Sequence, residues 1–214
     1  MRIGIIGTGD VGRSLGTGFI NLGYEVKIGS RNPNQEKVKN WLDKSGALAS
    51  AGTFAEAAAF GDFIILATNW EGTENAIQLA EPKNFSCKVV IDVTNPLDFS
   101  KGMPPKLAVG YSDSAGERVQ RWLPNAYVVK AFNTVGHPHM VNPEFPNGPP
   151  DMFICGNDYE SKQFVAKLLK AFGWSVIDIG RIECARYIEP LAMIWILYFF
   201  KTNTGNHAFK LLRK

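Results

Sequence analysis

A chain of 214 residues, 45% hydrophobic and 20% charged, is long enough for one substantial core and too apolar to be dominated by disorder. Its net charge of +3 is spread without a Lys/Arg run, which excludes the electrostatic footprint of a nucleic-acid binder. Cys87, Cys155 and Cys184 are odd in number and widely spaced, which argues against a disulfide framework or a zinc site and predicts buried thiols.

Arg2–Ile6 reads as a short apolar strand that runs straight into glycines, with no signal-peptide pattern. Val11–Leu22 reads as a helix stopped by Gly23. Glu25–Ile28 is a second strand and Gln35–Lys44 a polar helix. Thr53–Phe60 is an Ala-rich helix with Thr53 as candidate N-cap. Phe63–Ala67 is a continuous apolar run, the pattern of a strand buried on both faces. Thr73–Leu79 (helix), Lys88–Val93 (strand), Ser114–Leu123 (helix, stopped by Pro124) and Tyr127–Ala131 (strand) follow. A long loop rich in Pro, Asn and His runs from Gly136 to Pro150. Asp151–Cys155, Ser161–Phe172 and Ser175–Ile179 then read as strand, helix and strand, an extension of the same sheet. Apolar, aromatic-rich helices are predicted from Ala185 to Leu212.

The longest apolar stretch, Ile188–Phe200, is interrupted by Glu189 and Pro190 and falls short of the roughly 18–20 residues of a spanning helix. A cytoplasmic protein without membrane contact is expected. The alternation of strands and helices predicts an α/β fold, a Rossmann-type doubly wound, mainly parallel sheet with a small C-terminal helical extension. Residues 1–135 form its dinucleotide-binding core. Residues 136–214 add the sheet extension and the C-terminal helices to the same compact unit.

Gly7-Thr8-Gly9-Asp10-Val11-Gly12 matches G-x-G-x-x-G between a strand and a helix, the context that gives this motif its meaning. Gly7 permits the tight turn, Gly9 lets backbone approach a pyrophosphate, and Gly12 lets the helix pack on the strand. The helix N-terminus then stabilises the phosphates. At the end of the second strand, NAD-binding proteins usually place an acid for the ribose hydroxyls. Here Ile28-Gly29-Ser30-Arg31-Asn32 has none, and Ser30 and Arg31 can donate to a 2′-phosphate. NADP(H) is therefore expected rather than NAD(H).

Thr68-Asn69-Trp70, Thr94-Asn95-Pro96 and Ala131-Phe132-Asn133-Thr134 each follow an apolar strand, where ligands of open α/β sheets bind. Thr68, Asn69, Trp70, Asn95, Pro96, Ala131, Phe132 and Asn133 join the candidate cofactor site. His137 and His139 lie in the long loop with no zinc-type spacing, and no metal is expected. His137 is the one candidate catalytic residue. The scarcity of acid–base groups suits hydride transfer between NADPH and a flavin, deazaflavin (F420-like) or quinone-like acceptor, for which alignment matters more than a side-chain acid. A non-catalytic NADP(H)-sensing module and a small imine or carbonyl reductase remain open. Tyr187, Met193, Trp195, Tyr198, Phe199 and Phe200 form an aromatic C-terminal stripe that serves as core, subunit interface or part of a substrate wall.

Gly7–Gly12, Gly29-Ser30-Arg31, Val128-Val129-Lys130-Ala131-Phe132-Asn133-Thr134 and Cys155-Gly156-Asn157-Asp158 together resemble the NADP-dependent F420 oxidoreductase family, itself related to the reductase domain of the STEAP metalloreductases. The resemblance implies NADP(H) held by Thr8, Gly9, Asp10 and Val11, with Ser30 and Arg31 on the 2′-phosphate. It implies Asn95, Pro96, Ala131, Phe132 and Asn133 near the nicotinamide, and a flavin, deazaflavin or related small-molecule electron acceptor in the adjoining cleft. It also implies a homodimer formed through the C-terminal helices.

Overall fold

The structure is a computed structural model that describes residues 1–212 and 214. Six elements make the first half of the doubly wound core: β1 (Arg2–Ile6), α1 (Asp10–Asn21), β2 (Glu25–Gly29), α2 (Glu36–Ser45), β3 (Ala49–Gly52) and α3 (Phe54–Phe60). The chain then crosses back to β4 (Phe63–Leu66), α4 (Thr73–Leu79) and β5 (Val89–Asp92). A two-stranded ribbon, β6 (Leu97–Asp98) with β7 (Lys106–Leu107), precedes α5 (Ala115–Trp122) and β8 (Tyr127–Lys130). The last elements are β9 (Asp151–Gly156), α6 (Tyr159–Ala171), β10 (Ser175–Asp178) and α7 (Ala185–Thr202).

The main sheet has eight strands in the order β10-β9-β8-β5-β4-β1-β2-β3. From β3 to β8 every pair is parallel, while β8 and β9 run antiparallel. A parallel neighbour needs a crossover back to the starting edge. The loop after β8 supplies no such helix, so β9 begins where β8 ended and runs the other way. The sheet is therefore mainly parallel, as expected, with β9 and β10 as a reversed extension.

Alternation along each strand splits the core in two. Ile3, Ile5, Ile65 and Val129 face Leu15 and Phe19 of α1, Val38 and Trp41 of α2, and Val165 and Leu169 of α6. Ile6, Ile64, Leu66 and Val128 face Ala57 of α3, Ile77 of α4, Val119 of α5 and Ile188 of α7. Side chains of period two fix which helix lies on which face.

Several expectations change. The strand β3 goes unrecognised in the sequence, because Ala-Ser-Ala-Gly lacks the branched and aromatic residues that mark strands. It forms because β2 offers it an open edge. Cys155 is buried, but Cys184 is half-buried and Cys87 exposed; all three are free. The C-terminal helices reduce to one. α7 stops at Thr202, where Asn203 takes a left-handed conformation (φ 52°) and donates its N–H to the Phe199 carbonyl at 2.7 Å. Residues 204–212 beyond it fold back as an irregular tail. The Asp151 N–H donates to Phe209 O at 2.9 Å, and Trp195 Nε1 donates to His207 O at 2.8 Å. His207 thus sits in this tail rather than in a helix. Among the described residues no helix is long and apolar enough to cross a membrane.

Candidate functional site

The chain leaves β1 toward β2 and β3 on one side, then returns to β4 on the other. At that reversal the loops after β1 and β4 diverge, and a crevice opens at the carboxyl ends of the strands. The structure has a cleft of about 240 Å³ there. It is lined by Gly7, Thr8 and Gly9 after β1, Ser30 and Arg31 after β2, and Ala67, Thr68 and Asn69 after β4. Gln35, Lys37, Phe54 and Asn75 complete much of the wall.

The three motif glycines have different reasons to be glycine. Gly7 has φ +124°, and a Cβ there would lie 2.2 Å from the Ala67 carbonyl oxygen. A Cβ on Gly12 would meet the Gly7 carbonyl oxygen at 2.5 Å, so α1 packs directly on the turn. Gly9 is extended (φ −72°, ψ −177°), and a Cβ there would meet no protein atom within 4 Å. Its missing side chain leaves space on the cleft side and relieves nothing inside the fold. Thr53, Ser114 and Asp158 cap α3, α5 and α6 with their side chains, whereas α1 has no side-chain cap. Its first N–H groups are therefore left without a side-chain acceptor, directly after the cleft-lining residues Gly7, Thr8 and Gly9. Asp10 would set a negative charge beside them. Arg13 offsets it, pairing with Asp10 at 2.5 Å and donating to the Thr8 carbonyl at 2.8 Å.

At the end of β2, Ser30 is buried and its hydroxyl accepts from the Asn32 N–H at 3.0 Å. Arg31 is exposed on the cleft rim. Lys37, from the first turn of α2, joins it. Among the described residues the lining thus holds two cations and no carboxylate. An acid at this place would repel a 2′-phosphate; two cations attract one. The donor set fits a phosphorylated dinucleotide. Lys37, Gln35 and Asn75 escape sequence reasoning because each reads as an ordinary polar helix residue until its helix is docked.

The three later segments lie along the same edge of the sheet, with different exposure. Thr68 is half-buried and hydrogen-bonded to Thr73 at 2.9 Å, and Asn69 is exposed. Trp70 stacks on Trp122 of α5 with centroids 5.6 Å apart and is not among the residues lining the cleft. Asn95 is half-buried, while Pro96, Ala131, Phe132 and Asn133 are buried. Asn95 Nδ2 donates to the Asn133 carbonyl at 2.8 Å, and Asn133 Nδ2 donates to Asn95 Oδ1 at 3.0 Å. The two loops are therefore locked together. Phe132 holds φ +62°, an uncommon conformation for a bulky residue and one that persists only where surroundings enforce it. Val11 is half-buried on α1. His137 is exposed, with Nδ1 3.3 Å from Ser14 Oγ of α1, and is not among the residues lining the cleft.

Beneath the Asn95 and Asn133 loops lies a buried charge cluster that sequence reading missed. Lys130 Nζ is 2.9 Å from Asp92 Oδ2 and 3.0 Å from Glu189 Oε1, and all three side chains are at most 1% exposed. Burial pushes the lysine's pKa down, but the two carboxylates outweigh it and hold it above its ordinary value.

A family model for coenzyme F420-dependent NADP oxidoreductases matches residues 2–96. The F420-dependent NADP reductase of Methanocaldococcus jannaschii is 32% identical over 207 residues, covering 92% of this chain and 91% of that protein. The metalloreductase STEAP3 of Rattus norvegicus is 29% identical over 193 residues. That match covers 90% of this chain, which spans only 36% of the metalloreductase. A solved structure of a proposed F420-dependent NADP reductase from Arthrobacter sp. FB24 superposes with a TM-score of 0.95 at 38% identity, over 100% of both chains.

Proposed function

This chain belongs to the F420-dependent NADP oxidoreductase family, and from that premise we propose that it is an NADPH-dependent reductase moving a hydride between NADP(H) and a flavin-like or deazaflavin acceptor. The reading rests above all on the cleft: Arg31 and Lys37 stand where an acid would select unphosphorylated NAD(H). In this reading, the N–H groups at the start of α1 receive the pyrophosphate and Ser30, Arg31 and Lys37 hold the 2′-phosphate. Gly7, Thr8, Gly9, Asp10, Val11, Gly12, Thr68 and Asn69 contour the cofactor's middle. The loops at Asn95–Pro96 and Ala131–Asn133 support its nicotinamide end. Bound NADPH would supply the hydride; the protein supplies alignment and exclusion of water. The locked asparagine loops fit that task, being organised for position rather than proton transfer.

The site residues work as one compact unit formed by residues 1–135 and 136–214. We also propose that two copies pair through α7. Only Ala185, Ile188, Glu189 and Ala192 of this apolar helix are buried, while Tyr187, Ile194, Leu197, Tyr198 and Phe200 are exposed. A run of exposed aromatic and aliphatic side chains on one helix is characteristic of an interface.

Titration calorimetry with NADPH and NADH tests the cofactor. Arg31→Ala is expected to weaken NADPH about ten- to hundred-fold, as for a lost charge-assisted hydrogen bond, and to leave NADH nearly unchanged. Equal losses would remove the 2′-phosphate assignment. NADPH oxidation is then followed with F420, FMN and a quinone. Tight binding without turnover on any acceptor would point to a sensing module instead. Turnover abolished by His137→Ala at unchanged NADPH affinity would point to an imine or carbonyl reductase.

A further inference from the structure

Burying a lysine and two carboxylates is expensive, and apolar residues of similar volume often give equal or greater stability. The cluster of Asp92, Lys130 and Glu189 nevertheless has nearly complete hydrogen bonding. The three protons of Lys130 Nζ meet Asp92 Oδ2, Glu189 Oε1 and, at 2.6 Å, the Thr94 carbonyl. Asp92 Oδ1 accepts from the Thr94 N–H at 2.9 Å and its hydroxyl at 2.7 Å. Glu189 accepts from the N–H groups of Ala115 (2.9 Å) and Gly116 (3.0 Å) at the start of α5. These contacts join the ends of β5 and β8, the start of α5, and α7.

The cluster takes its use from the loops that its members anchor. Asp92 and Lys130 are cross-strand partners at the last positions of β5 and β8. Asn95 stands three residues beyond the first, and the left-handed Phe132 and Asn133 lie two and three beyond the second. Asn133 also reaches the Ile188 carbonyl at 3.3 Å, immediately beside Glu189. The two loops assigned to the nicotinamide end are therefore held from below by one charge cluster and from the side by α7.

We propose that Lys130, with Asp92 and Glu189, is a positioning residue for the nicotinamide end of the site: the cluster fixes the Asn95 and Asn133 loops without touching the cofactor. This inference rests on the reading that NADP(H) occupies the cleft. It predicts that breaking the cluster harms recognition of the nicotinamide half and spares the adenosine half, which is held by β1, β2 and α1.

The test compares NADP⁺ with adenosine 2′,5′-bisphosphate, the adenosine end alone, by calorimetry on the full chain. Asp92→Asn combined with Lys130→Met removes one negative and one positive charge, so the buried net charge is unchanged and Glu189 keeps its two backbone donors. The double variant is expected to bind the bisphosphate as the parent does and to bind NADP⁺ about ten-fold more weakly. Its hydride transfer from 4R- and 4S-deuterated NADPH to FMN should lose facial selectivity, a readout that a general loss of stability would not change. If the double variant does not fold, Thr94→Val keeps all three charges paired and removes only the hydroxyl on Asp92. It should shift the same affinity ratio in the same direction by about three-fold. An unchanged ratio in every variant that folds, or equal weakening of both ligands, overturns the proposal. A parent protein that binds neither ligand overturns instead the reading of the cleft.

Discussion

Gly7 and Gly9 separate two meanings of one motif. At Gly7 the backbone itself is left-handed, and a Cβ would collide with the Ala67 carbonyl. Gly7→Ala should therefore destabilise the fold by about 1–3 kcal/mol, seen in denaturant melts. At Gly9 the backbone is ordinary and the space beyond it belongs to no protein atom. Gly9→Ala should melt like the parent and lose affinity for NADPH. A Gly9→Ala protein as unstable as Gly7→Ala would mean that the second glycine serves the fold and not a ligand. The sequence motif names both positions but cannot assign these roles, since the difference lies in what the rest of the chain places opposite each one.

Among the elements, α5 and α7 are tied at their exposed side as well as through Glu189. Arg186 of α7 donates to Glu117 of α5 through two nitrogens, Nε at 2.8 Å, and the Ser114 hydroxyl donates to the same carboxylate at 2.7 Å. Burial pushes Glu117 up, but the hydrogen bonds from Arg186 and Ser114 outweigh it and hold its pKa below the ordinary 4.5. A carboxylate depressed on folding adds stability that is fully present above its unfolded pKa. That stability is lost as pH falls through the lower folded value. Glu117→Gln should therefore lower the melting temperature at pH 7, with the gap to the parent closing as the solution is acidified below about pH 4.5. A gap that stays constant with pH would assign the loss to packing. The capping half of this arrangement is local but was not read from the sequence: Ser114, taken there as the first residue of the helix, is the N-cap of α5. The partner Arg186 was not legible, because 69 residues separate it from Glu117.

For the whole molecule, the proposed pairing of two copies rests on the exposed apolar side of α7. Ile194, 58% exposed, and Tyr198, 50% exposed, sit one turn apart on it. Ile194→Lys should shift a dimer to monomer in sedimentation velocity while leaving NADPH affinity intact, since neither residue lines the cleft. A parent chain that sediments as a monomer at micromolar concentration would refute the pairing. The aromatic composition of this segment pointed to core, interface or part of a substrate wall from the sequence alone. Only the docked helix shows how little of it the core takes up.

Features that depend on neighbours along the chain could be read before any folding. The G-x-G-x-x-G turn, the missing acid after β2, the Thr53 cap and the alternation of strand and helix are local patterns, and together they specified a doubly wound sheet and its carboxyl-edge crevice. Folding supplied the recruitment of Lys37 to the cleft, the turning of Trp70 onto Trp122, the addition of β3 at an edge and the end of α7 at Asn203. It also brought about the meeting of Asp92, Lys130 and Glu189. Lysine within an apolar strand and glutamate within an apolar helix look like isolated polar interruptions when read in order. Their charges are tolerable only because folding brings them within 3.0 Å of one another, a distance that spacing along the chain does not encode.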